Sequence, residues 1–112
     1  LKFIKELTQN IINKEPEKAI ETTNKVISEG KDLDNFLWEV IKYIKDMLIY
    51  KTTKKLELYS KEDIEFIEKL SEKATKEQLL NLIYELSELA NQMKVSTQKN
   101  IIFQAGIIRR KQ

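Results

Sequence analysis

The feature that most constrains the fold is the stretch from Gly30 to Lys51, in which apolar residues recur at steps of three and four. This spacing places apolar side chains on one stripe of a helix about five turns long, while the charged residues fall elsewhere. The stripe consists of Leu33, Leu37, Val40, Ile41, Ile44 and Leu48. Three aromatic residues beside it are expected to widen the buried face: Trp38, Tyr43 and Tyr50. The pattern predicts a central helix with several neighbours.

Two helices are predicted before the central one. Apolar residues recur from Leu1 to Ile11, and Pro16 suits the first turn of a second helix, where its missing amide is not needed. Gly30 suits the left-handed residue that closes a helix, and Asp32 or Asp34 is placed to cap the central helix. Because the turn between them is short, the second helix and the central helix are expected to be neighbours in space.

The C-terminal half begins with the longest predicted connection, from Lys51 to Tyr59, which has no clear period. Its apolar residues are expected to anchor it: Leu56, Leu58 and Tyr59. Ser60 is expected to cap a fourth helix that carries apolar residues from Ile64 to Ala74. Thr75 opens the motif T-K-E-Q, which predicts a capping box at the start of a fifth helix.

The fifth helix has the most regular spacing in the chain. Its seam consists of Leu79, Leu82, Leu86, Leu89 and Met93, and the residues expected to widen it are Leu80, Ile83 and Ala90. Two heptads are too few for a sustained coiled coil, so the seam favours a bundle core.

A sixth helix is predicted after Thr97, which is expected to cap it. Apolar residues occupy almost every side between Ile101 and Ile108, so the helix either runs through the centre of the bundle or packs partly on another subunit. Gly106 indicates either the close approach of another backbone or a small residue in a tight core.

The absence of Cys and His from the 112 residues removes most catalytic and metal-binding chemistry. Without them there is no thiolate nucleophile, Ser–His pair, zinc finger or disulfide. No Gly-rich phosphate loop is present either, so catalysis by this stretch is not expected. With 2 Gly and 1 Pro, the composition predicts an all-α bundle of about five to six helices forming a single domain.

No apolar run approaches the roughly 20 residues of a membrane span, and no signal-peptide pattern is visible, so a cytoplasmic location is expected. Because the chain begins at Leu1 within a periodic pattern, it is interpreted as a fragment of a longer protein.

The net charge of +2 is unevenly distributed. No acidic residue follows Glu88, whereas the basic residues after it are Lys94, Lys99, Arg109, Arg110 and Lys111. Cations suit the negative ends of helix dipoles, which is one interpretation, and a phosphate or nucleic-acid contact is another. Aromatic residues are not interleaved with these charges as single-strand binding requires, so direct nucleic-acid binding is the less favoured hypothesis.

Three stretches together resemble a known family. They are EKAIETTNKVISEGKDLDNFLWEVIKYIKDMLIYK, TKEQLLNLIYELSELANQMKVST and IIFQAGIIRRK. In their order along the chain and in their residue patterns, they are similar to the third domain, the collar domain, of the gamma/tau subunit of bacterial DNA polymerase III. The sequence departs from the family where Asn-Pro-Arg usually precedes the last helix and where a Glu lies within it. The residues found there are Gln98, Lys99, Asn100 and Gln104, which suggests a lost salt bridge.

The resemblance implies an oligomerisation domain that holds ATPase subunits in a ring, which loads the sliding clamp in DNA replication. The implied partners are the other clamp-loader subunits: gamma/tau copies, delta and delta prime. ATP and zinc are implied only for domains upstream of this sequence, so no cofactor is expected here. As partner-binding residues we predict Trp38 and Tyr43 on the central helix and Arg109 and Arg110 at the end of the chain.

Two other functions remain open from the sequence. One is a nucleic-acid-binding helical domain that uses the five basic residues after Glu88. The other is a generic helical adaptor unrelated to replication.

Overall fold

The computed structural model describes residues 1–109, and six α-helices account for most of that range. They are α1 (Lys2–Ile12), α2 (Pro16–Ser28), α3 (Leu33–Thr53), α4 (Lys61–Ser71), α5 (Lys76–Lys94) and α6 (Lys99–Arg109). No strand occurs within the described residues. The all-α class and the helix count predicted from the sequence are therefore confirmed.

Side-chain caps begin α3 and α5 as the sequence predicts. Asp32 accepts the amide of Asn35 at 3.1 Å at the start of α3. Thr75 and Gln78 form the reciprocal capping box of α5, with distances of 2.9 and 3.0 Å. These caps satisfy backbone amides that have no partner within a helix.

Ser60 caps α4, as the sequence predicts. Ser60 accepts the amide of Asp63 at 3.1 Å. The Asp63 carboxylate forms an ion pair with Lys5 of α1 at 3.0 Å, so it ties two helices together. Ala74 lies beyond the end of α4 but still packs against the core.

Helix α3 forms the centre of the bundle and packs against α1, α4, α5 and α6. All five seam residues of α5 are buried, and the strongest packing in the molecule joins α5 to α3. Helix α2 packs chiefly against α1 and α6. The expectation that α2 is a close neighbour of α3 was therefore wrong: the turn at residues 29–32, with Gly30 at a φ of 69°, joins the two helices, but α2 packs on α1 and α6 instead.

Two predictions about buried residues in α3 and α5 were wrong. Trp38 is 48% exposed, because it shares a stripe of α3 with the exposed residues Lys42, Lys45 and Ile49. Leu80 of α5 is also exposed, since it lies about 100° around the helix from the buried Leu79. Tyr43 and Tyr50, by contrast, are buried as expected, and so is Ala90.

The connection between α3 and α4 spans residues 54–60 and is the longest between the described helices. Leu56 and Tyr59 pack against the core as predicted. The prediction that Leu58 anchors this connection was wrong. Its backbone is left-handed, with a φ of 67°, and its side chain is 103% exposed.

Helix α6 does not run through the centre of the bundle. It lies on one side against α2 and α5, and its fully buried side chains are Phe103 and Ile107. It begins two residues after Thr97, and just before it the Ser96 hydroxyl accepts the amide of Gln98 at 2.9 Å. Gly106 lies under a side chain rather than another backbone: a Cβ added there would lie 3.0 Å from Leu89 Cγ.

Candidate functional site

The outward side of α6 is apolar and uncovered within residues 1–109. Ile101, Ala105 and Ile108 are all exposed, the two isoleucines by 63% and 51%. Their spacing of four and then three residues aligns them on one stripe of the helix. We call these three residues the α6 outer face. Such a stripe has the pattern of a helix surface that packs against another helix.

Polar contacts on the other sides of α6 hold it to the bundle. Lys99 pairs with Asp34 of α3 at 2.7 Å and donates to the Met93 carbonyl at 2.9 Å. Gln104 donates to Thr23 Oγ1 at 3.0 Å and to Asn24 Oδ1 at 2.6 Å, both in α2.

These contacts involve two of the positions at which the sequence departs from the family pattern. An ion pair and three hydrogen bonds are thus present where the resemblance suggested that a salt bridge had been lost. Because the contacts fix the orientation of α6, they also fix which of its sides points outward.

The predicted partner-binding residues fall into different environments. Trp38 is exposed on α3, and Arg109 is exposed at the end of α6. Tyr43 is only 2% exposed and packs edge to face on Tyr59, with 6.3 Å between ring centroids. A direct contact between Tyr43 and a partner would therefore require the core to open. Arg110 lies outside the described residues.

A second surface lies where α3 meets the connection to α4. It is an open groove of about 590 Å³, which we call the α3–loop groove. Its lining residues are Lys42, Lys45, Asp46, Ile49, Lys55, Leu56, Glu57, Leu58 and Tyr59. The sequence interpretation did not identify this groove. A pattern in the sequence does mark this side of α3. Exposed-face residues recur there every three or four positions: Trp38, Lys42, Lys45 and Ile49.

One of the groove residues, Asp46, has a buried carboxylate with several polar partners. Asp46 accepts a hydrogen bond from the Tyr59 hydroxyl at 2.6 Å and another from Lys45 at 2.6 Å, and Lys42 lies 3.7 Å away. Burial alone would raise the pKa of Asp46, but the hydrogen bonds from Lys45 and Tyr59 and the charges of Lys45 and Lys42 hold this pKa below its usual value. The carboxylate thereby fixes the connection onto α3.

Both tyrosines near this carboxylate are held in the neutral form. Burial raises the pKa of Tyr59, and its hydrogen bond to Asp46 raises that pKa further. Burial also raises the pKa of Tyr43, with a smaller contribution from the charge of Asp63. Neither phenol is therefore activated as an acid or a nucleophile near neutral pH.

Of the basic residues after Glu88, those within residues 1–109 are not all free cations. Lys94 and Arg109 are exposed, whereas Lys99 is paired with Asp34. Arg110 and Lys111 lie outside the described residues. The geometry of residues 1–109 therefore adds no support to the hypothesis of nucleic-acid binding.

Within residues 1–109, no three acidic side chains come together in a group that could hold a metal ion. None of the helices in this range has the length and apolar character needed to cross a bilayer.

Comparison with known proteins gives one informative similarity. The chain is 29% identical over 109 residues to the DNA polymerase III subunit tau of Bacillus subtilis (strain 168). The match covers 96% of this chain but only 19% of that subunit, so the chain resembles a small piece of it. No protein-family profile matches the chain, and no solved structure matches it. The resemblance to the gamma/tau subunit that the sequence motifs indicated is therefore confirmed.

Proposed function

We propose that this chain is a non-catalytic assembly domain of a DNA polymerase III clamp-loader subunit. In this proposal it holds ATPase subunits together in the ring that loads the sliding clamp during DNA replication. The similarity to a piece of a tau subunit over 96% of the chain supports a role in the replication machinery. The chemistry of nucleotide hydrolysis belongs to other parts of the longer protein, together with the ATP and zinc that the resemblance implies.

The observation that carries the assembly role is the α6 outer face. Burying apolar surface stabilises a complex by about 25 cal/mol per Å² in area bookkeeping, so two exposed isoleucines on one stripe favour association. The polar contacts of Lys99 and Gln104 hold α6 in place before any partner arrives. A surface that is already ordered loses less conformational entropy when it binds.

The proposed occupant of the α6 outer face is an apolar helix surface of a neighbouring clamp-loader subunit. That neighbour is a gamma/tau copy, delta or delta prime, and the assembly works in the bacterial cytoplasm. Arg109 ends the same helix and is exposed, so it is placed to contact an acidic residue at the rim of such an interface. Trp38 is exposed on a different helix and serves as a second candidate contact.

The proposal is tested by reconstituting the clamp loader from its other subunits and this chain. Light scattering measures the mass of the complex for the wild type and for the double variant Ile101→Glu/Ile108→Glu. The wild type is expected to enter the complex, and the double variant is expected to be lost from it, because two carboxylates would be buried without partners. Both chains are checked for helix content by circular dichroism.

The matched control is Leu80→Glu/Tyr84→Glu, which places two carboxylates at exposed apolar positions of α5 instead. This control is expected to enter the complex as the wild type does. If the Ile101→Glu/Ile108→Glu variant also enters it fully, the α6 outer face is not the assembly surface. If the wild type never enters, the proposed function is refuted.

A further inference from the structure

Packing within this chain explains neither the left-handed backbone of Leu58 nor the full exposure of its side chain. Among residues 1–109 the other non-glycine residues with a left-handed backbone are Lys14 and Lys54, and both lie at the ends of helices, where this conformation is common. Leu58 lies inside a connection, and its side chain is fully exposed. Leucine is disfavoured in this conformation, and such outliers concentrate at binding sites. The conformation therefore points to a ligand contact.

Exposed lysines border the groove beside Leu58. Lys42, Lys45 and Lys55 line it, against the acids Asp46 and Glu57. Asp46 is buried, and its two oxygens already accept hydrogen bonds from Tyr59 and Lys45. The three lysines outnumber the two acids, of which only Glu57 is exposed, so the net charge of the groove is positive. Each lysine has three N–H donors, so Lys45 keeps donors for a ligand after it binds Asp46.

Three of the side chains that line the groove are aliphatic: Ile49, Leu56 and Leu58. Ile49 is exposed beside the lysines of the same α3 stripe. Along α3 the groove extends from Lys42 to Ile49, a rise of about 10 Å. This length accommodates about three to four residues of an extended peptide. The aliphatic side chains suit an apolar side chain of a ligand better than the polar edge of a nucleic-acid base.

We propose that the α3–loop groove binds a short acidic segment of a partner protein that inserts an aliphatic or aromatic side chain beside Leu58. The carboxylates of this segment would pair with Lys42, Lys45 and Lys55, and its apolar side chain would cover Leu58 and Ile49. The site lies on α3 and the connection to α4, whereas the proposed assembly surface lies on α6. It therefore adds a recruitment function to the proposed assembly function, and the two functions are testable separately.

Trp38 provides a built-in reporter for this site. It is the only tryptophan in the chain, it is half exposed, and it lies four residues before Lys42 on the same stripe of α3. The probe is a synthetic eight-residue peptide of aspartate and glutamate with one leucine and one phenylalanine. Titration into the 112-residue chain is expected to change the Trp38 fluorescence in a saturable manner. Two further peptides, with the acids changed to amides or the apolar residues changed to serine, are each expected to bind about tenfold more weakly.

The variant that isolates the site is Leu58→Asn. Asparagine tolerates the left-handed backbone, so the fold is expected to be retained while affinity for the probe falls about tenfold. Val95→Asn is the matched control, because Val95 is another highly exposed aliphatic residue outside the helices, and it is expected to bind the probe like the wild type. Amide shifts in a nitrogen-15 spectrum are expected to concentrate at residues 42–59.

Three results would overturn the proposal. They are the absence of any saturable response, equal affinity in Leu58→Asn and the wild type, and shifts that fall outside residues 42–59. Tighter binding of a single-stranded oligonucleotide in the same groove would identify a nucleic-acid site instead. The Ile101→Glu/Ile108→Glu variant is expected to bind the probe normally, so a failure of the assembly proposal leaves this test intact.

Discussion

Two tyrosines in contact with each other differ in what their hydroxyl groups bind. Tyr59 donates to Asp46 at 2.6 Å, whereas the buried hydroxyl of Tyr43 has no hydrogen-bond partner among the described residues. Removing one partner of a buried hydrogen bond to a charge costs about 1–3 kcal/mol, whereas removing an unpaired hydroxyl costs little. We therefore expect Tyr59→Phe to lower the free energy of unfolding by about 1–3 kcal/mol and Tyr43→Phe to leave it unchanged or raise it.

Urea denaturation followed by circular dichroism measures both changes. Each variant is the control for the other, because both remove one phenolic oxygen from neighbouring rings. Equal losses of stability in the two variants would show that the Asp46 contact is not what distinguishes them.

The Asp46 carboxylate also predicts how stability depends on pH. Its pKa is lower in the folded chain than in the unfolded chain, so it stabilises the fold at pH values above the unfolded pKa of about 3.9. This contribution is lost as the pH falls through the folded pKa. We expect Asp46→Asn to lose less stability than the wild type between about pH 6 and about pH 2, as measured by thermal unfolding.

The carboxylate of Asp63 serves as an internal reference in that experiment. The hydrogen bond from Lys5 lowers the pKa of Asp63, and Asp63 is present in both proteins. Any difference between the two pH profiles therefore reports on Asp46. Parallel profiles would contradict the role assigned to this residue.

The burial of individual side chains was only partly predictable from the sequence. Periodicity identified the buried stripe of α3, and Tyr43 beside it is buried as expected, but Trp38 was also expected to be buried and is exposed. A large aromatic residue at the edge of a stripe is buried only if a neighbouring helix covers that edge. Leu58 was mispredicted for a related reason, since hydrophobicity alone does not reveal a left-handed backbone.

The packing of α6 on α5 depends on Gly106. A methyl group there would lie 3.0 Å from Cγ of Leu89, a residue that is itself buried. Alanine favours a helix by about 1 kcal/mol over glycine, but overpacking costs about 1–3 kcal/mol. We expect Gly106→Ala to lower the free energy of unfolding by about 1 kcal/mol, measured by urea denaturation.

The double variant Gly106→Ala/Leu89→Ala tests the cause of that loss. If Leu89 is the obstacle, adding Gly106→Ala to Leu89→Ala is expected to be neutral or stabilising, because space has been made for the methyl group. A loss of the same size in both backgrounds would locate the strain elsewhere.

Helix boundaries and the α5 seam followed from the sequence because their causes are local. Capping residues, Pro16 and the spacing of the leucines act within a few positions of the chain. The placement of α6 depends on contacts between distant residues, such as Lys99 with Asp34 and Gln104 with Thr23. Those pairs are not visible in a local pattern, so the sequence left open whether α6 was central or peripheral.

At the scale of the whole molecule, the bundle separates two surfaces. The central helix α3 contributes one stripe to the α3–loop groove, while its other sides hold the core together. Helix α6 lies on one side of the bundle and presents its apolar outer face. The sequence predicted the fold class and, by resemblance, an assembly role, and it left open whether α6 packs on another subunit. It identified neither the exposed side of α6 nor the groove, because both depend on which sides of the helices remain uncovered.

The most direct test of the assembly role is hydrogen exchange of the backbone amides, measured for the chain alone and within a reconstituted clamp loader. The account predicts that amides of α6 gain protection of about tenfold or more in the complex, because the α6 outer face is covered there. Unchanged exchange throughout α6, in a complex that contains the chain, would contradict the account.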